Sequence, residues 1–421
     1  MSLDPATRVS LALRGRVLTP RSDGGLTVYP DGLLLADANG VIVQIGSYRS
    51  GRKRYPGPVR DLRDTVLIPG FVDAHVHYPQ TRIIGRATGP LLDWLDRSVF
   101  PEEARLSRAA YAEAVAAEMI DRMIAMGTTS AAIFSSSSPT ATERLFTHLA
   151  ARGMRAAAGL TLMDVRSPKA LKLGREPAMK AMRRLVGRWH GHDAGRLEVA
   201  VTPRFALSCS RAMLREAGRL ARDEGLLVQT HVGETKQEGR LTLEAHGYAD
   251  SYVGVYDAAG LLGPRTVLAH AIHLSAAEWD RVAAQGASIA HCPDSNFFLG
   301  SGRMPLTPPV RRGITVALGS DVAAGRSFSL RRAMASAYDN AMCLGKPVDP
   351  ATCFRMATLG GAQALGWERR IGSLEVGKEA DVVAIPMPRE ATTAEAMLAN
   401  LVFDTDTPNA AAVWVRGRRL L

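Results

Sequence analysis

With 421 residues, 46% of them hydrophobic and 22% charged, the chain is long enough for a large domain plus a smaller one and too apolar to be disordered. Its 52 basic and 41 acidic residues leave a net charge of +11, but the basic side chains are spread over many segments, which argues for a solvated surface and against a nucleic-acid partner. Four unpatterned cysteines, no apolar leader and no run of about 18 apolar residues exclude a disulfide framework and a membrane span, so a cytoplasmic protein is expected.

Residues 1–67 read as short strands with cores at 17–19, 32–36 and 41–45, the last two joined by a tight turn at 37–40. The apolar stretch 66–72, interrupted by Pro69 and Gly70, reads as a buried strand that ends in His75 and His77. From there the pattern alternates. A helix is expected over 101–126 up to Gly127, a strand over 128–134, a helix over 140–152 stopped by Gly153, and a strand over 155–162. A basic helix at 169–189, a strand at 197–201 and a helix at 211–223 ending before Gly225 follow. Strands at 226–231, 266–270, 287–291 and 315–318, with a helix at 276–284, bring the count to eight. Eight such units within roughly 300 residues specify a closed (β/α)8 TIM barrel over 68–371. A helix at 351–365, a strand at 376–385 and a hairpin around 411–417 complete the chain. Segments 1–67 and 372–421 are expected to combine in a small β-sandwich domain.

The ionisable residues fall at one end of this frame. Side chains alternate along a strand, so His75 and His77 point the same way at the end of the first. His231 ends the fifth strand, His270 ends the sixth and Asp321 follows the eighth, all at the barrel face where catalysis takes place. Histidines with one aspartate suit a single borderline divalent ion, zinc first and ferrous iron second. Glu234, three residues past His231, is placed to carry a proton from a metal-activated water. The end of the fourth strand has no lysine to bridge a second metal; it carries Arg204, a fixed donor for a carbonyl or an anion, and Phe205, a ring for stacking on a planar heterocycle. His148, His190, His192 and His246 read as surface residues, His273 and His291 as bystanders, and Cys292 as structural.

Together these residues resemble the amidohydrolase superfamily, and within it the guanine deaminases. The broad marks are Pro-Gly-Phe-Val-Asp-Ala-His-Val-His at 69–77, His231, His270, Gly-Ser-Asp at 319–321 and Leu-Glu-Val-Gly-Lys-Glu-Ala-Asp-Val at 374–382. The narrower ones are Tyr-Pro-Gln at 78–80, Leu-Leu-Asp-Trp-Leu at 91–95, Phe-Pro-Glu at 100–102, Thr-Pro-Arg-Phe at 202–205 and Ser-Asn-Phe-Phe-Leu-Gly-Ser-Gly at 295–302. The resemblance implies that His75, His77, His231 and Asp321 hold the metal, with His270 beside the activated water and Glu234 as proton shuttle. It implies further that Arg204 meets the carbonyl oxygen of a purine, that Gln80 meets a ring edge, that Phe205 stacks, and that Trp94 belongs to the segment closing the pocket. Asp93, where the family has glutamate, and Gly233-Glu-Thr235, where it has Ser-Glu-Asn, bear on pocket shape. The implied reaction is hydrolysis of guanine to xanthine and ammonia by a homodimer. Its rivals are deamination of 8-oxoguanine, a pterin or isocytosine, and a barrel kept as a non-catalytic scaffold, for which eroded ligands would be expected.

Overall fold

The computed structural model describes residues 8–404 and 410–421. Two sheets organise them. The first is the expected barrel, with parallel strands Phe71–His77, Thr128–Phe134, Arg155–Gly159, Leu197–Pro203, Leu227–Val232, Thr266–His270, Ser288–His291 and Val316–Leu318 in that spatial order. The third strand is interrupted at Leu160 and resumes as Thr161–Leu162 beside the fourth. The barrel closes between its eighth and first strands: Ser320 N–H donates to Asp73 Oδ1 at 2.9 Å, and Asp321 N–H to the His75 carbonyl at 2.9 Å.

Small side chains fill the barrel interior, where Ala74, Ala132, Ala157, Ala200, Ala269, Ala290 and Ala317 share one buried cluster. The helix Leu359–Leu365 supplies Ala362, Ala364 and Leu365 to it, and Gly361 lets that helix approach, since a Cβ there would meet Val72 Cβ at 2.7 Å. The outer faces of the strands pack against the helices in the larger core, as hydrophobic burial on both faces of a parallel sheet requires.

The second sheet joins the two ends of the chain. Its seven strands run in the order Arg418–Arg419, Ala412–Val415, Val382–Pro386, Arg60–Pro69, Val9–Pro20, Leu26–Asp37, Ile42–Ser47. The two sides of this sheet come back together: Ile42 N–H donates to the Lys378 carbonyl at 2.8 Å, Ala380 N–H to the Gly40 carbonyl at 2.7 Å, and Ile42 and Trp414 fall in one apolar cluster. One curled sheet thus supplies both facing layers of the expected sandwich. The stretch read as a single strand through 66–72 divides at Gly70: Arg60–Pro69 pairs in this sheet and Phe71–His77 in the barrel. A Cβ at Gly70 would lie 2.0 Å from Thr129 Oγ1, so the crossing from one sheet to the other needs glycine.

Caps place several helices where their stop signals did. Ser138 and Ser210 accept from Ala141 N–H and Met213 N–H, and Gly153 and Gly225 end those helices with φ of 86° and 64°. The helix expected at 101–126 is broken: Phe100–Ala104 runs into a 3-10 turn at Arg105–Ser107, Arg108 is extended, and Ala109–Ala125 follows. The break lets Glu102 turn to Arg105 and Tyr111 while Glu103 faces the barrel. The helix at 351–365 likewise divides at Thr358, whose hydroxyl bonds back to the Phe354 carbonyl at 2.6 Å. Helices Lys236–Ala245, Tyr252–Ala258, Pro293–Phe298, Leu330–Cys343 and Ala394–Phe403 had no sequence expectation. Among the described residues no helix is long and apolar enough to cross a membrane.

Candidate active site

The first barrel strand carries an irregularity between Asp73 and Val76, and it changes which side chains face inward. Val72 and Ala74 belong to the barrel interior and Val76 to the outer core; past the irregularity His75 and His77 both reach the top of the barrel. Asp73, fully buried, fixes this end by accepting from His75 N–H at 3.2 Å as well as from Ser320. His270 and Asp321 take positive φ values of 71° and 48°, uncommon for residues with a Cβ, so strand ends six and eight are held in strained turns.

These residues converge. His77 Nε2 lies 3.2 Å from His75 Nε2, 3.1 Å from His231 Nε2 and 3.2 Å from Asp321 Oδ1, and His75 Nε2 is 3.3 Å from the same oxygen. His75, His231, His270 and Asp321 also offer one atom each within 4.8 Å of all the others. His270 stands further out, its Nε2 3.7 Å from Asp321 Oδ2 and 3.5 Å from Glu234 Oε2. The compact set is therefore His75, His77, His231 and Asp321, with His270 alongside.

Protonation states make this cluster a cation site. Burial pushes the His77 ring down to about 3 and the His231 ring well below its ordinary value, so both are neutral at pH 7. Burial alone would raise Asp321, but the His75 and His77 rings beside it hold it well below the usual carboxylate range. His231 Nδ1 is bonded to the Arg204 carbonyl and His270 Nδ1 to Asn296 Oδ1 at 2.9 Å; both must donate, which leaves an unshared pair on each Nε2 facing the cluster. His270 Nε2 has no hydrogen-bond partner. Buried lone pairs gathered around an ionised carboxylate repel one another unless a positive ion lies between them, so the residues fit a divalent metal.

Around the cluster is a pocket lined by Gln80, Trp94, Arg204, Phe205, Glu234 and Glu238 among others. Glu234 is buried; burial and then the Asp321 charge push its carboxyl well above the ordinary range. Gln80 Oε1 accepts from Ala323 N–H at 2.9 Å, which leaves its NH2 group as the free donor. Arg204 is fixed by a 2.7 Å bond to Glu103 and by the Phe100 ring beneath its guanidinium. Trp94 donates to the Arg86 carbonyl at 2.8 Å and is almost wholly buried in the pocket wall.

The structure thus brings Gln80, Trp94, Arg204, Phe205 and Glu234 to one cavity with His77, His231, His270 and Asp321, and His75 lies directly behind them. It adds residues without a sequence expectation: Glu103 behind Arg204, Asn296 behind His270, Phe134 edge-on to His75 and His231 at 4.8 Å from each, and Glu238. Asn296 lies in the Ser-Asn-Phe-Phe motif, a signal that carried no role. His246, expected at the surface, is buried with Nε2 bonded to the Ala206 carbonyl at 2.9 Å, because the helix before it folds over the pocket. His291 is fully buried with neither ring nitrogen bonded.

A family model described as the amidohydrolase family matches residues 66–420. The probable guanine deaminase of Deinococcus radiodurans is 39% identical over 384 residues, covering 89% of this chain and 87% of the relative. Among solved structures, the E. coli guanine deaminase superposes with a TM-score of 0.93 at 33% identity, covering 97% of this chain and 99% of that one. A C. acetobutylicum guanine deaminase with guanine bound in its active site superposes at 0.91 with 29% identity, covering 98% of this chain and 100% of that one.

Proposed function

Because the chain belongs to the amidohydrolase family, we infer from its pocket that it is a guanine deaminase, hydrolysing guanine to xanthine and ammonia. The observation that carries this reading is the meeting, in one pocket, of the buried Glu234 carboxyl, a metal-fitting donor cluster and two fixed donors, Gln80 and Arg204. Guanine deaminases of similar sequence and shape, one of them holding guanine, support it.

In this reading His75, His77, His231 and Asp321 hold one divalent ion, and the mixture of imidazole and carboxylate favours zinc over ferrous iron. Such an ion, when bound, acidifies a water so that hydroxide is available at neutral pH. Arg204 donates to the carbonyl oxygen of guanine, the free NH2 of Gln80 meets an acceptor on the ring edge, and Phe205 covers one face of the base. Trp94 and its neighbours exclude bulk water. Glu234 delivers a proton to N3, the ring nitrogen beside the attacked C2, then takes the proton of the hydroxyl added at C2 and passes it to the amine, which leaves as ammonia as the C2 carbonyl forms; His270 and Asp321 orient the attacking oxygen. A cytoplasmic homodimer belongs to the same reading, supported by the sparse unpaired cysteines and the family resemblance.

Glu234→Gln tests the assignment: metal content should stay at the wild-type level while turnover of guanine falls by roughly 100-fold or more. Retained activity in a fully loaded variant would contradict the role given to Glu234.

A further inference from the structure

One ionisable group in the pocket wall has no part in the chemistry above. Glu238 lies in the first turn of the helix Lys236–Ala245, four residues beyond Glu234, and is 1% exposed. Its Oε1 accepts from the Tyr252 hydroxyl, while Oε2 has no hydrogen-bond partner. The backbone amides of Thr235 and Glu234 lie beside the carboxyl, yet neither satisfies Oε2. Burial pushes this carboxyl up to about 8. A buried carboxyl oxygen left without a donor is costly, and a ligand N–H reaching it would remove that cost.

The chemistry of guanine identifies the N–H. With C2 turned to the metal cluster and N3 to Glu234, the next position along the same edge of the purine is N9, which shares C4 with N3. The carbonyl at C6, assigned to Arg204, lies across the ring. Glu234 and Glu238 both line the pocket, four residues apart, as N3 and N9 share one edge of the base. Resting on the guanine reading, we propose that Glu238 Oε2 accepts the N9–H of the purine and so selects the free base over N9-substituted nucleosides. A competing role is purely structural: Oε1, by accepting from the Tyr252 hydroxyl, ties the start of this helix to the helix Tyr252–Ala258.

The test compares kcat/KM for guanine and for 9-oxaguanine, an analogue with oxygen in place of N9–H, in the metal-loaded wild type, Glu238→Ala and Glu238→Gln. Intrinsic reactivity differences between the substrates cancel when the ratio is compared across proteins. At pH 9, where the carboxylate form prevails, the wild-type ratio should exceed that of Glu238→Ala by roughly 10- to 100-fold, the value of a buried hydrogen bond to a charged group. In Glu238→Ala the preference should fall to the intrinsic ratio of the two substrates, chiefly through KM. Glu238→Gln, which keeps the volume and a neutral acceptor, should retain an intermediate ratio and serves where the alanine variant does not fold. A ratio unchanged from wild type in either variant, with both substrates slowed equally, would leave Glu238 only its structural bond to Tyr252 and overturn the proposal. A loaded wild type that turns over neither substrate would overturn the guanine reading itself, and the proposal with it.

Discussion

Arg204 shows how one recognition residue depends on a partner far away in sequence. Its side chain and that of Glu103 are 4% and 1% exposed and bonded at 2.7 Å, so each charge is compensated only by the other. Removing one member of a buried pair costs about 3–5 kcal/mol, because the remaining charge is left without compensation. Glu103→Ala should therefore lower the thermal midpoint and, by freeing the guanidinium, raise KM for guanine by roughly tenfold or more with a smaller change in kcat; thermal unfolding and steady-state kinetics check both. Arg204 was legible in the sequence because a strand end announces itself by its apolar run. Glu103 was not, because it lay inside a stretch whose helical periodicity continues across the break at Arg108, and only tertiary structure turns it toward the pocket. Glu238 was hidden in the same way, in a helix with no expectation because Gly239 and Thr242 weaken its propensity.

The seam between the eighth and first strands is where an element-level change reaches the site. A Cβ at Gly319 would lie 2.7 Å from His75 Cβ, 2.9 Å from Cys292 Sγ and 3.1 Å from the His75 carbonyl. Backbone and a buried histidine cannot both yield, so Gly319→Ala should push the two strands apart at the point where Asp321 and His75 share a hydrogen bond. We expect a lower thermal midpoint together with a substoichiometric metal content; a normal metal content in a well-folded variant would contradict the rigidity assigned to the seam. The barrel strands were legible from their buried apolar runs bounded by glycine and polar strand ends. The short helices that roof the barrel were not, since Pro293–Phe298 and Tyr252–Ala258 are too brief to show a period and are held by caps and by contact with the strand ends.

At the scale of the whole molecule, Asp381 ties the curled sheet to the barrel: its carbonyl accepts from Gly70 N–H at 3.0 Å and its carboxylate from Arg416 N–H at 2.8 Å. Burial, only partly opposed by Arg155, raises this carboxyl from 3.8 to about 6. A raised folded-state value means that its stabilising contribution is complete below about pH 3.8 and is lost as pH rises through about 6. Wild type should thus lose about 2 kcal/mol relative to Asp381→Asn between pH 4 and pH 7, most of the full effect at about 1.36 kcal/mol per pKa unit, as read from denaturant unfolding at several pH values. A difference between the two proteins that does not change with pH would contradict the burial assigned to this carboxyl. The joining of the chain ends in one β domain was legible from strand and turn signals at both termini, whereas the passage of the chain at Gly70 from that sheet to the barrel was not, because Pro69 and Gly70 interrupt an apolar run that continues on both sides. The central claim, that this pocket is a metal-dependent site for deaminating guanine, is tested most directly by ammonia release from guanine, 8-oxoguanine, isocytosine and a pterin, using protein of measured metal content. The account predicts one divalent ion per chain and rapid turnover confined to guanine. Full metal loading with no release from guanine would contradict it.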